Sequence, residues 1–301
     1  MKRRGNLVMA ALLGTASVGV LATEVDFVVA AEAGKSGNTV VVRLNPNEVL
    51  VFKGATPYVL HGRRLIIVAP AIRVDAPFTI RQFDDTDTAL PKEGAAAQPA
   101  PKPMGRRTSG RNGANGDTGT PGNTGAQGNS GKDAPIVVLD IKAFSGAGPL
   151  TIDNSGGTGG KGQRGSKGGT GGAGEPGADG SESAVDCKAG GADGGYGGKG
   201  GKGGTGGTGG TGGKGGTVKL SVAAMQAAAP GGPLKVIVDG GAGGEKGDGG
   251  EPGTGGAGGP GGAGTRVYCS GGSGRPSLGN GDPGSSGSPG ATGQPGIVRG
   301  L

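Results

Sequence analysis

Apolar and polar residues alternate in short bursts between Asn38 and Asp84. The segment NTVVVRLNPNEVLVFKG (38–54) and the segment TPYVLHGRRLIIVAPAIRVDAPFTIRQFD (56–84) are rich in Val, Ile, Leu and Phe. Asn45-Pro46-Asn47, Lys53-Gly54 and His61-Gly62 punctuate them as turns. Roughly four to six short strands are predicted, with Pro70 and Pro77 at bends or edges. A small sandwich and a short β-solenoid both fit. Two later segments alternate in the same way. Leu139, Ile141 and Ala143 alternate with Asp140 and Lys142, while Val218, Leu220, Val222 and Ala224 flank Lys219 and Ser221. Each continues through Gly-Pro-Leu into a second apolar stretch, Leu150 with Ile152 and Leu234 with Val236 and Val238, so each predicts a β-hairpin-like pair.

Elsewhere a different period takes over. Glycine occupies every third position over 110–131, 156–180, 191–216, 241–262 and 281–296. A three-residue beat matches the polyproline-II helix, with about 3.1 Å rise per residue and no internal hydrogen bonds. Its N–H and C=O groups must find partners on neighbouring chains or in water. The run 191–216 carries two complete glycine columns, which suits neighbours on two sides. Its third column is Tyr196, Lys199, Lys202, Thr205, Thr208, Thr211 and Lys214, roughly 9.3 Å apart, and is a candidate binding face. An intramolecular bundle, a collagen-like trimeric stalk and a disordered linker compete. Collagen calls for at least 15–20 % Pro, against 20 prolines in 301 residues.

The expected fold class is therefore mostly non-α. It joins a small β-rich N-terminal domain to a bundle of polyproline/polyglycine-II helices linked by short β-hairpin-like segments. The expected organisation is a signal peptide over 1–22 (alternatively cut after Ala33), the β-rich domain over 38–84, a Pro/Ala linker over 85–109 and the glycine-rich bundle over 110–301. Residues 135–216 and 217–300 read as tandem units.

Composition sharpens this. With 78 glycines, no tryptophan, five phenylalanines and three tyrosines, the chain cannot fill the core of an ordinary globule of its length. Lys2, Arg3 and Arg4 precede an apolar stretch ending in Val20-Leu21-Ala22, the form of an export leader. That stretch is too short to predict a stable membrane span. The formal charge of +7 comes with interleaved acids. Basic residues lack the aromatic neighbours of a stacking platform, so no nucleic-acid partner is expected. Cys187 and Cys269 occupy equivalent places in the two units of an exported chain, which predicts one intramolecular disulfide. Arg266, Tyr268 and Arg275 near Cys269 form a candidate binding loop. The single histidine, His61, has no nucleophile or second ligand in the sequence pattern. No enzyme activity, metal or cofactor is expected.

The glycine-rich half resembles the polyglycine-II bundle proteins, among them the snow-flea antifreeze protein and the glycine-rich adhesins of phage tail-fibre tips, and bacterial collagen-like secreted proteins. The resemblance rests on the repeats. It implies a secreted or cell-surface structural or adhesive protein, a rigid scaffold presenting polar faces and loops to an extracellular polymer such as a glycan. Ice binding and a collagen-like trimeric stalk are the alternatives, with the chain a monomer or a trimer.

Overall fold

The computed structural model describes residues 22–54, 56–84, 87 and 111–301. The expected leader and linker lie outside these residues, apart from Ala22 and Asp87. In chain order the elements are β1 (Thr23–Asp26), α1 (Phe27–Ala33), β2 (Lys35–Ser36), β3 (Thr39–Arg43), β4 (Glu48–Phe52), β5 (Tyr58–Val59), β6 (Arg64–Val74) and β7 (Phe78–Arg81). Then follow β8 (Val137–Gly146), β9 (Leu150–Asp153), β10 (Ser181–Glu182), β11 (Cys187–Ala189), β12 (Thr217–Leu220), α2 (Val222–Ala227), β13 (Leu234–Ile237) and β14 (Ile297–Gly300).

The expected fold class is overturned. Among the described residues the strands form one eight-stranded sheet in the order β1-β4-β6-β8-β12-β14, with β3 on β6 and β2 on β3. A four-stranded sheet runs β13-β9-β7-β5, and β10 and β11 make a small pair. Both larger sheets are parallel apart from the β2–β3 pair. The alternating segments of the glycine-rich half form no hairpins. They extend the same sheets as residues 39–81: β8 pairs with β6 from Leu65↔Val137 to Val74↔Gly146, and β9 pairs with β7 from Phe78↔Leu150 to Arg81↔Asp153. The reason is the apolar face. A lone hairpin cannot bury Leu139, Ile141, Leu150 and Ile152, whereas stacking on β6 and β7 removes all of them from water.

The two sheets close on a single core. Leu65, Ile67, Ile72 and Val74 point inward from β6, Phe78 and Ile80 from β7, and Val137, Leu139 and Ile141 from β8. Inward positions on β6 change phase between Ala69 and Ile72, around Pro70. Its first half pairs with β3 and its second half with β4. Gly146 (φ 112°) ends β8 where a Cβ would collide with the Val74 carbonyl.

Equivalent residues of the two expected tandem units pair directly: Val137 with Val218, and Leu150 with Leu234. One local expectation fails. The alternation through Val222 and Ala224 gives way after Leu220, where Ser221 caps α2 by accepting from the Ala224 N–H. The Ala-rich sequence that follows favours helix. Ser221 Oγ continues the sheet ladder instead, donating to the Ile141 carbonyl (2.7 Å) and accepting from its N–H (3.1 Å).

α1 seals one end of the core. Phe27 stacks on Phe52 (4.6 Å between centroids) and meets Tyr58 and Phe78 edge-on (5.3 and 5.6 Å). Asp26 caps the helix, accepting from the N–H groups of Val28 and Val29. Phe27→Ala is expected to cost about 3–5 kcal/mol. Val29→Ala, on the 68 % exposed side, is expected to leave the urea midpoint unchanged.

Parallel neighbours need long crossovers, and the glycine runs supply them. From β9 the chain leaves through 154–180, turns at β10–β11, and returns through 191–216 to β12. From β13 it leaves through 239–264, turns near Cys269, and returns through 271–296 to β14. Together with 111–134, these runs lie outside the strands but are tied to one another at every third residue. Gly116, Gly119 and Gly122 donate to Tyr196, Lys199 and Lys202 carbonyls. Gly198, Gly201 and Gly204 donate to Gly172, Gly169 and Ser166, and Gly200, Gly203 and Gly206 to Gly279, Asp282 and Ser285.

Candidate functional site

The hydrogen-bond register sorts the runs into two layers. Runs 111–134, 191–216 and 271–296 go the same way and lie side by side, since paired residue numbers rise together. Runs 154–180 and 239–264 go the opposite way beneath them: Gly157 donates to Lys132, and Glu175 to Ala114. Run 191–216 therefore touches all the others. Its glycines from Gly194 to Gly210 are buried, and an added Cβ at any of them would meet backbone atoms of an adjacent run.

Between Gly194 and Gly210 only its third column reaches water. Lys202, Thr205, Thr208, Thr211 and Lys214 are exposed, and Tyr196 and Lys199 are half-buried. The face is built from three adjoining columns. From 111–134, Asn115 Oδ1 accepts from the Tyr196 N–H (2.9 Å), Asp133 Oδ1 from the Lys214 N–H (2.7 Å), and Ser130 Oγ meets Thr211 Oγ1 (3.0 Å). From 271–296, Asp282 pairs with Lys199 (3.6 Å). The result is a broad surface of hydroxyls, amides and lysines. The opposite layer is different: Lys161–Glu245 and Arg164–Glu251 (3.2 and 3.1 Å) pair its charges across the two runs.

Arg275 does not join Arg266 and Tyr268. Its guanidinium lies over the Tyr196 ring (5.2 Å), donates to the Tyr196 hydroxyl (3.2 Å) and pairs with Asp193. It thus belongs to the broad face. Arg266 and Tyr268 stay exposed at the far turn, as do Val185 and Val267. There the Tyr268 N–H donates to Glu182 (3.1 Å) and the Cys269 N–H to Thr265 Oγ1 (2.8 Å). Cys187 and Cys269 form a disulfide that joins the two turns, with 5.2 Å between Cα atoms.

The Ser273 N–H, and then the Arg275 charge, hold the Asp193 carboxyl below its usual range. A lowered folded value means that the stability it contributes is complete above the ordinary Asp range. That stability fades as pH falls through the lowered value. The melting-temperature gap between the native chain and Asp193→Asn is expected to be open at neutral pH and to narrow as pH falls below the ordinary Asp range. A gap constant with pH would contradict this.

One cluster escaped the sequence pattern. The Leu60 N–H donates to the Arg81 carbonyl and the Gly62 N–H to Gln82, so the turn after β5 rests against the end of β7. This brings His61, Asp84 and Asp87 together, with donor atoms all within 4.8 Å of one another. The acidic run after Gln82 is the sequence signal, but its meeting with His61 depends on strand pairing. A cavity of 110 Å³ adjoins Asp84, lined also by Arg81, Gln82, Asp153 and Ser155.

Among the described residues no helix is long and apolar enough to cross a membrane. No protein-family model matches the chain, and no curated protein matches it. A solved structure, the nine polyproline type II helical bundle springtail antifreeze protein from Granisotoma rainieri, is similar at 28 % identity over 62 % of this chain and 97 % of that one. Its TM-score of 0.11 is too low to support an argument about fold or function.

Proposed function

We propose that the chain is a secreted or cell-surface structural protein with an adhesive face, a rigid scaffold that holds polar side chains in fixed rows for an extracellular polymer such as a glycan. The observation that carries this reading is the exposed column from Lys202 to Lys214, whose backbone is immobilised by buried glycines on both sides. Binding to such a face loses little conformational entropy, because its rows are already ordered. The disulfide fits an oxidising compartment. An export leader ending at Ala22 suits the core better than one ending at Ala33, because Phe27 and Ala31 are fully buried.

Ice binding is the second reading, favoured by the regular row Thr205, Thr208 and Thr211. A collagen-like trimeric stalk is less well supported, since the glycine N–H groups that would bond to other chains are used within this one. Whole-cell and glycan-array binding test the first reading. The pair Lys202→Glu and Thr208→Glu is expected to weaken binding roughly tenfold, or about 1.4 kcal/mol, with the melting temperature unchanged. Thermal hysteresis in solution, abolished by Thr208→Glu, would favour ice instead. Failure to bind any surface would leave a purely structural role.

A further inference from the structure

We propose that His61, Asp84 and Asp87 form a site for one divalent zinc-class ion, which pins the chain after β7 to the turn between β5 and β6. The site lies apart from the broad polar face and does not depend on its function.

The geometry is close to what an ion needs. Around Zn²⁺, with bonds of about 2.0–2.2 Å, ligand atoms sit roughly 3–4 Å from one another. His61 Nδ1 is already 3.1 Å from Asp87 Oδ2. The Asp84 N–H donates to the same carboxylate at 3.1 Å, which fixes where Asp87 points. One imidazole and two carboxylates suit a borderline ion better than a hard one such as Mg²⁺, and water would fill the remaining positions.

The site is also built in advance. His61 is in the left-handed region (φ 51°), followed by Gly62 at φ 75°. This uncommon conformation for a side-chain-bearing residue is held by the bonds from Leu60 and Gly62 to the end of β7. The backbone thereby sets His61 beside the two aspartates. The Asp87 side chain is only 10 % exposed, so two carboxylates converging there favour a nearby cation. Lys132 supplies one, with Nζ 3.5 Å from Asp87 Oδ1. Its side chain is 59 % exposed, and a flexible ammonium can swing into water when a metal ion arrives.

The test uses the full-length, untagged, oxidised chain. Calorimetric titration with ZnCl₂ at neutral pH is expected to give one ion per chain. Binding should weaken at least tenfold in His61→Ala and in Asp87→Asn. It should strengthen several-fold in Lys132→Ala, which removes the competing charge. His61 is the single histidine of the sequence, so its imidazole resonances report on the native protein without any substitution, and they should shift on adding zinc. No saturable binding below millimolar zinc would overturn the proposal. So would imidazole signals that zinc leaves unmoved, or affinity unchanged in both ligand variants.

Discussion

Replacing Cys187 and Cys269 with serine is expected to lower stability by about 4.5 kcal/mol, the chain-entropy value for a loop of this length. The bond closes a loop with a sequence separation of 82. It lies at the far turns, where the β10–β11 pair is the only sheet among the described residues. At the other end the core already holds the chain through Leu139, Ile152, Val218 and Leu234. Losing the bond should therefore free the turns first, with hydrogen exchange quickening around Ser181–Ala189 and Thr265–Ser270 before the sheets respond. The melting temperature should fall by roughly 10 °C. A reduced protein that melts where the oxidised one does would mean that the turns are held by their local bonds alone.

Gly207→Val is expected to cost roughly 3 kcal/mol or more, and Thr208→Val less than about 0.5 kcal/mol. The residues are adjacent, but their surroundings differ. The Gly207 N–H donates to Gln163 (2.7 Å), and its carbonyl accepts from Gly247 (2.9 Å). A Cβ there would run into the Ala126 carbonyl. The obstacle is the backbone of run 111–134, so no side chain can turn aside, and the two hydrogen bonds tie Gly207 to two further runs. Thr208 faces water. Thermal melting of the two variants decides the matter, and equal tolerance would contradict the close packing of this run.

Much of the strand content was legible because each strand carries its own alternation. Leu139, Ile141, Val218 and Leu220 stand on the apolar side of their alternations in the sequence and are buried in the structure. Their neighbours were not legible. Alternation says which face is apolar but not whether the next strand lies beside it or a whole crossover away. Gly-Pro-Leu at 148–150 looks like a hairpin turn, yet Leu150 pairs with Phe78 and Leu234. The disulfide was readable from the matching places of its cysteines in a duplicated pattern. The exposed column of 191–216 followed from its period. The docking of Arg275 on Tyr196, and the meeting of His61 with Asp84 and Asp87, arise from register between distant segments, and no local pattern encodes that.

The union of sheets and glycine runs resolves an ambiguity that neither half could settle alone. A glycine run slid by three residues along its neighbour would recover nearly every N–H···O bond, because its sequence looks almost the same after the shift. Strands have a period of two, so a slip by three turns every inward residue outward. Val218 and Leu220 continue directly from run 191–216, so such a slip would expel them from the core. The smallest shift that satisfies both periods is about six residues, more than the whole of β12 (4 residues) or β14 (4 residues). Their common multiple is longer than these strands, and the mismatch acts as a vernier: a low-complexity sequence acquires one alignment because a different counting scheme governs its ends.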